Sequence, residues 1–230
     1  MNSARFPGLT GNQLKIIALI AMTCDHVGLQ LFPQATILRI IGRIAFPIFA
    51  YMIAEGCQYT HNRKKYLLAM WGLAATCQLV YYFAMGSLYM SVLVSFSLAI
   101  GLIYLIDREK NRSSHAYLAP LAALCGIFFL CRVLPDLISS TDYAIDYGLW
   151  GVLLPVLVYF EKEKSGKLRN FAICLALIAL EYGGIQWFSL AAVPLLALYN
   201  GKRGKHKMKN LFYIYYPAHL VVIYLLSLAV

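Results

Sequence analysis

Nine apolar stretches dominate this chain, at roughly 14–32, 37–57, 66–85, 88–106, 115–134, 147–160, 168–182, 185–200 and 210–230. About 20 apolar residues at 1.5 Å per residue match a hydrocarbon layer about 30 Å thick. In lipid a backbone must satisfy its own hydrogen bonds, so such stretches fold as helices. The stretches at 147–160, 168–182 and 185–200 are short, which suits tilted, re-entrant or interfacial helices. The expected fold is all-α: a single polytopic integral membrane bundle over residues 1–230, of about nine transmembrane helices, with no polar domain or linker. Composition agrees, because 61% of the 230 residues are hydrophobic, 13% are charged and the mean hydropathy is +0.67. Soluble domains run to about 45–50% apolar and about 25% charged, so a soluble enzyme and a disordered chain are excluded. The six cysteines form no C-x-x-C pair and no zinc-type spacing with histidine, and read as reduced filler with no metal.

The net charge of +10 has three possible meanings: nucleic acid, anionic lipid or membrane topology. Its placement selects the third. Lys and Arg collect in cytoplasmic connections of membrane proteins. Arg5 and Lys15, then Arg63, Lys64 and Lys65, then Arg108, Lys110 and Arg112 fall in every second connection. Lys162, Lys164, Lys167 and Arg169 follow, and the run from Lys202 to Lys209 closes the set at seventeen of twenty. The alternate connections, near residues 32–36, 85–90, 136–146 and 181–184, hold none. The pattern predicts a multi-pass protein of the plasma (inner) membrane with its N-terminus cytoplasmic. Basic residues spread over five short segments, without a stripe or an aromatic platform, argue against a nucleic-acid partner.

Arg39, Arg43 and Arg132 are the exceptions, and Asp25, His26, Glu55 and His219 join them inside apolar stretches. An ionisable group at membrane depth is expensive and marks a functional site by default, with snorkelling the competing explanation near a helix end. Snorkelling suits Arg39, about two residues into its stretch, whereas for Glu55 and Arg132 the two explanations are balanced. Depth sets the others apart. Counting 1.5 Å per residue, His26, Arg43 and His219 lie roughly 18, 21 and 14 Å from the inner face. They and Asp25 share the middle third of the membrane. Adjacent side chains on a helix diverge by about 100°, so Asp25 is as suited to pairing with Arg43 as to orienting His26.

A histidine is the usual general base near neutral pH, and a guanidinium binds phosphate, carboxylate or a developing oxyanion. No serine elbow, phosphate loop or H-E-x-x-H zinc motif is present. Base-assisted acyl or proton transfer fits these parts better than metal hydrolysis.

Residues 14–28, ending in Cys24-Asp25-His26-Val27-Gly28, and 38–56, carrying Arg43-Ile44-Ala45-Phe46-Pro47, resemble the TraX family. So do Asp142 to Val152, Tyr199 to Gly204, and the closing Tyr215-Tyr216-Pro217-Ala218-His219. The resemblance covers about residues 10–230. It implies the activity of the family's named member, which N-acetylates a pilin subunit at the inner membrane. The family is in turn similar to transmembrane acyltransferases of the acyltransferase-3 type, which acylate cell-envelope glycans. By that resemblance His26 is the catalytic base, Arg43 binds the donor or the transition state, and His219 is a supporting site residue. Asp25 joins this catalytic set on its own position, as the residue that orients His26 or pairs with Arg43. The implied donor is acetyl-CoA or another acyl-CoA, with Lys202, Arg203 and Lys205 as contacts for its phosphates. Retention of that loop on the inner side explains the same lysines without a ligand. The acceptor is an amine or hydroxyl of a protein N-terminus, a glycan or a lipid. A transporter or proton or anion relay, and a non-catalytic assembly partner, are the rival readings, since buried His, Asp and Arg suit a relay as well.

Overall fold

A computed structural model of the chain describes residues 8–110, 117–205 and 209–228. Arg5, Arg112 and Lys207, which contribute to the charge pattern above, lie outside the described residues. Among the described residues the chain is all-α, with two isolated backbone bridges and no strand. The helices are α1 (Gly11–Gln30), α2 (Thr36–Gly42), α3 (Ala45–Tyr59), α4 (Arg63–Met85), α5 (Val92–Glu109) and α6 (Leu118–Phe128). They continue with α7 (Leu134–Leu137), α8 (Gly148–Phe160), α9 (Lys164–Tyr182), α10 (Ala192–Ala197) and α11 (Lys209–Ser227). A π-helical turn, Phe129–Val133, joins α6 to α7, and a 3-10 helix, Gly184–Ala191, leads into α10. These elements form nine helical stretches among the described residues, one for each apolar stretch of the sequence. Three of them, Thr36–Tyr59, Arg63–Phe83 and Leu118–Leu137, are long and apolar enough to cross a bilayer. Gly148–Phe160, Gly184–Ala197 and Leu211–Ser227 are shorter apolar helices.

The stretch expected at 185–200 is not one regular helix. Gly183 and Gly184 adopt φ of +64° and +50°, a left-handed backbone that ends α9. The chain then winds with three residues per turn as far as Ala192, whose N–H bonds back to the Ser189 carbonyl. A break also divides α2 from α3. Pro47 has no N–H to offer the carbonyl four residues earlier, which belongs to Arg43, so the helical ladder is interrupted where that arginine stands.

The chain forms two compact units. The first joins residues 1–52 to residues 179–230, and the second spans residues 53–178. In the first, α1 packs along α2 and α11, while α2 also meets the 3-10 helix. Leu19, Ala21, Met22 and Ala45 form its buried core, closed by Ile44, Phe49, Phe212, Tyr215 and Tyr216. The start of α1 is held twice. Thr10 Oγ1 accepts from the Gln13 amide and Gln13 Oε1 accepts from the Thr10 amide, a reciprocal capping box. The remaining first-turn donors at Gly11 and Asn12 reach the carbonyls of Lys202 and Arg203 at 2.8 and 2.9 Å.

In the second unit α5 packs against α4, α6 and α8. The ends of α4, α5 and α8 meet through Asp107, which accepts from Arg63 Nη2 at 2.7 Å and from the Tyr159 hydroxyl at 2.5 Å. These ends adjoin the basic connections. The opposite connections meet through acidic residues: Asp142 accepts from the Ser87 hydroxyl at 2.5 Å and the Leu88 amide at 2.8 Å, and Asp146 accepts from the Tyr89 hydroxyl at 2.7 Å. Basic and acidic connections therefore gather at opposite ends of this helical unit. Glu55, buried, pairs with Lys167 Nζ at 3.2 Å, which makes it a structural ion-pair partner inside this unit. Arg132 lies half-buried in the π-helical turn ahead of Pro135.

Candidate active site

The close approach of α1 and α2 in the first unit builds the site. A Cβ on Gly28 would stand 2.8 Å from Leu38 Cβ, and one on Gly42 would run into the Asp25 side chain. Two glycines thus let the helices touch where a larger residue would hold them apart. That contact delivers both arginines of α2 and its cap to one carboxylate of α1. Arg39 Nη1 donates to Asp25 Oδ2 at 2.8 Å, and Arg43 Nη2 donates to Asp25 Oδ1. Arg43 Nη1 also donates to Gln186 Oε1 at 3.3 Å, and its Nε to the Arg39 carbonyl at 3.3 Å. The side chains of Arg43, Asp25 and Arg39 are 12, 16 and 24% exposed.

Of the two roles open to Asp25, the fold takes the pairing with Arg43. Arg39 departs from the snorkelling expected of it and shares that carboxylate. The reason is rotational: Arg39 and Arg43 stand four residues apart, hence on one face, and that face is turned to α1. Two guanidiniums on one carboxylate leave this network with a net charge of +1.

His26 is next to Asp25 in sequence but faces α11. Its ring lies 5.2 Å from that of His219, tilted by 58°. Tyr215 stacks on His219 at 5.4 Å and Tyr216 meets it edge-on at 5.6 Å. The Tyr215 hydroxyl is 2.7 Å from Thr23 Oγ1, one turn before His26, which ties the two helices in register. His219 Nδ1 lies 3.0 Å from the Tyr215 carbonyl. A carbonyl only accepts, so this bond sets the proton on Nδ1 and leaves Nε2 as the lone-pair nitrogen of the neutral ring. Among the described residues, His219 Nε2 and His26 Nδ1 are buried without a hydrogen-bond partner. Each such atom costs about 1–3 kcal/mol. A fold that retains both keeps two imidazoles side by side, each with a buried nitrogen that bonds to nothing among the described residues.

The 3-10 helix adds two residues that sequence reasoning missed. Gln186 and Ser189 are 4 and 0% exposed, and Gln186 Nε2 and Ser189 Oγ are likewise buried and unpartnered among the described residues. Their one signal in the sequence is polarity within an apolar run. Lys202, Arg203 and Lys205, expected at donor phosphates, lie on the loop whose carbonyls cap α1. Lys202, Arg203 and Lys205 are exposed there. Asp25 is fourteen residues along α1 from Gly11, about 21 Å from that loop.

The profile of the TraX protein family matches residues 10–227. Protein TraX of Escherichia coli is 26% identical over 226 residues, covering 94% of this chain and 86% of its own length. A probable fimbrial assembly protein, FimC of serogroup H1 in Dichelobacter nodosus, is 24% identical over 250 residues, covering 92% of this chain and 93% of itself. No solved structure matches.

Proposed function

The chain belongs to the TraX family, and from that premise we propose that it is a membrane-embedded acyltransferase. It moves an acyl group, acetyl in the simplest case, from cytoplasmic acyl-CoA to an amine or hydroxyl of an envelope component. A pilin N-terminus is one such acceptor, a choice favoured by the likeness to a protein named for fimbrial assembly. The observation that carries the reading is the pair of adjacent imidazoles, with buried nitrogens on His26 and His219 that are unpartnered among the described residues, beside a half-buried Asp25–Arg43 pair.

In this reading His26 accepts the proton of the acceptor amine or hydroxyl as its lone pair bonds to the thioester carbonyl carbon. The carbonyl π pair moves onto oxygen, near the cationic Arg43, and returns as the carbon–sulfur bond breaks. The departing CoA thiolate takes the proton back from the imidazolium, so charge and protons balance. His219, its Nδ1 committed to the Tyr215 carbonyl, holds the second imidazole against the first. Asp25 acts through Arg43, fixing the guanidinium rather than touching the acyl group. The distance from the loop bearing Lys202, Arg203 and Lys205 to Asp25 suits a donor whose phosphates and thioester sit at opposite ends of an extended arm.

The accompanying topology is multi-pass in the plasma membrane with the N-terminus cytoplasmic. Two things support it: the alternation of basic connections, and their segregation from Asp142 and Asp146 in the second unit. The test is titration of the purified protein with acetyl-CoA, followed by transfer of a labelled acetyl group to envelope fractions. His26→Ala should retain CoA binding and lose transfer about 100-fold or more. Absence of acetyl-CoA binding by the wild type would sink the acyltransferase reading, and proton flux without transfer would replace it by the relay.

A further inference from the structure

We propose that Gln186 and Ser189 form a donor pair that holds the carbonyl oxygen of the bound acyl group. The inference rests on the acyltransferase reading and assigns to it two residues that neither the charge pattern nor the family motifs pick out.

The local fold supplies the geometry. In a 3-10 helix three residues complete a turn, so side chains at positions i and i+3 eclipse. Gln186 and Ser189 are so spaced within Gly184–Ala191, and both are almost fully buried, whereas Trp187 and Phe188 between them are exposed. The buried face of this short helix is therefore its polar one, the reverse of what partition between water and protein would choose. Arg43 shows where that face points, since its Nη1 donates to Gln186 Oε1. A guanidinium only donates, which fixes the amide orientation: Oε1 toward Arg43, and the two N–H donors of Nε2 away from it.

Those donors and the Ser189 hydroxyl have no partner among the described residues. A buried donor without an acceptor is a standing loss of stability, and a ligand acceptor removes it. The ligand group matched by an amide N–H, a hydroxyl and a nearby cation is a carbonyl oxygen that gains negative charge as it reacts. When the acceptor's lone pair bonds to the thioester carbon, the π pair moves onto this oxygen and the donors hold it. When the pair returns, the carbon–sulfur bond breaks and the CoA thiolate leaves with the proton that His26 accepted. Donors aimed in advance at developing charge need no reorganisation during the reaction.

The test uses the full-length protein in detergent micelles, with acetyl-CoA carrying a 13C label in its carbonyl, and CoA as the comparison. In the wild type the bound carbonyl stretch moves to lower frequency, and acetyl-CoA binds about three- to tenfold more tightly than CoA. Gln186→Glu keeps an acceptor for Arg43 and removes the donors, while Gln186→Met removes both. Ser189→Ala deletes a hydroxyl that bonds to nothing described, so its melting temperature should hold or rise. All three variants should lose the frequency shift and the acetyl preference while still binding CoA. If Gln186→Glu behaves as the wild type and only Gln186→Met fails, Gln186 merely positions Arg43 and the donor pair is overturned. If the wild type binds acetyl-CoA and CoA alike with an unshifted carbonyl, the donor pair falls and the acyltransferase reading stands. If it binds neither, both fall.

Discussion

Replacing Asp25 by asparagine removes one negative charge and almost no volume, so it isolates the electrostatic role of the carboxylate. In the wild type Asp25 faces two guanidiniums whose side chains are only 24 and 12% exposed. Removing one partner of a buried pair costs about 3–5 kcal/mol, because the remaining charge stays desolvated. Arg39, the more exposed of the two, can turn part of its charge toward a polar surface, which places the loss at about 3–4 kcal/mol. For a chain of this size each kcal/mol moves the melting temperature about 2–4 °C, so Asp25→Asn should melt about 6–16 °C lower. Arg39→Met is the matched control. It leaves one carboxylate with one guanidinium, and the lost charged hydrogen bond, about 1.5–3 kcal/mol, is offset by relief of the repulsion between the arginines. Its melting temperature should therefore stay within about 4 °C of the wild type. Thermal unfolding in one detergent, with intrinsic fluorescence as readout, compares the three proteins. Equal destabilisation by the two substitutions would refute the charge count, as would an Asp25→Asn protein melting within about 2 °C of the wild type.

Gly42→Ala places a methyl group against the Asp25 side chain, and overpacking of this kind costs about 1–3 kcal/mol. Because it displaces the partner of Arg43, acyl transfer should fall with stability, and unchanged transfer would refute the close approach. Glu55→Gln should cost stability, about 1–3 kcal/mol, by leaving Lys167 with a weaker partner, while acetyl-CoA affinity stays at the wild-type value. Titration calorimetry with a melting curve separates the two effects. The Ser87 hydroxyl and the Leu88 amide hold the Asp142 carboxyl below its ordinary value of 3.8. The folded value is the lower one, so this contribution is complete above about pH 4 and is lost as the pH falls through the depressed value. The protection of the Leu88 amide, the slowing of its exchange relative to an unstructured amide at the same pH, should fall only below about pH 4 in the wild type and should be low at every pH in Asp142→Asn.

Depth along a helix is readable from sequence. Counting residues in from the ends of the apolar stretches places His26, Arg43 and His219 in one middle third, and the fold brings His26 against His219 and Arg43 against Asp25. Depth is only one of three coordinates, however. Arg39 lies one turn from Arg43, at a depth where snorkelling is the natural expectation, but the rotation of α2 turns it to Asp25. Gln186 fails for another reason: in a run expected to be a regular helix, one glutamine reads as an isolated exception. It becomes a contact of Arg43 because Gly183 and Gly184 start a tighter helix with a different angular step.

What the sequence alone determined was therefore what local chemistry controls. Apolar runs of bilayer length dictate helices because a backbone without water must bond to itself. The spacing of Lys and Arg separates connections of two kinds, and the basic residues outside that spacing mark a polar interior. The tertiary structure decided which charges meet. Two guanidiniums share one carboxylate because two small residues, Gly28 and Gly42, let α1 and α2 approach. Gln186, on the buried polar face of the 3-10 helix, becomes a partner of Arg43 only when α2 and that helix meet. Such pairings depend on helix rotation and backbone separation, which arise only when distant segments pack, and no local pattern encodes them.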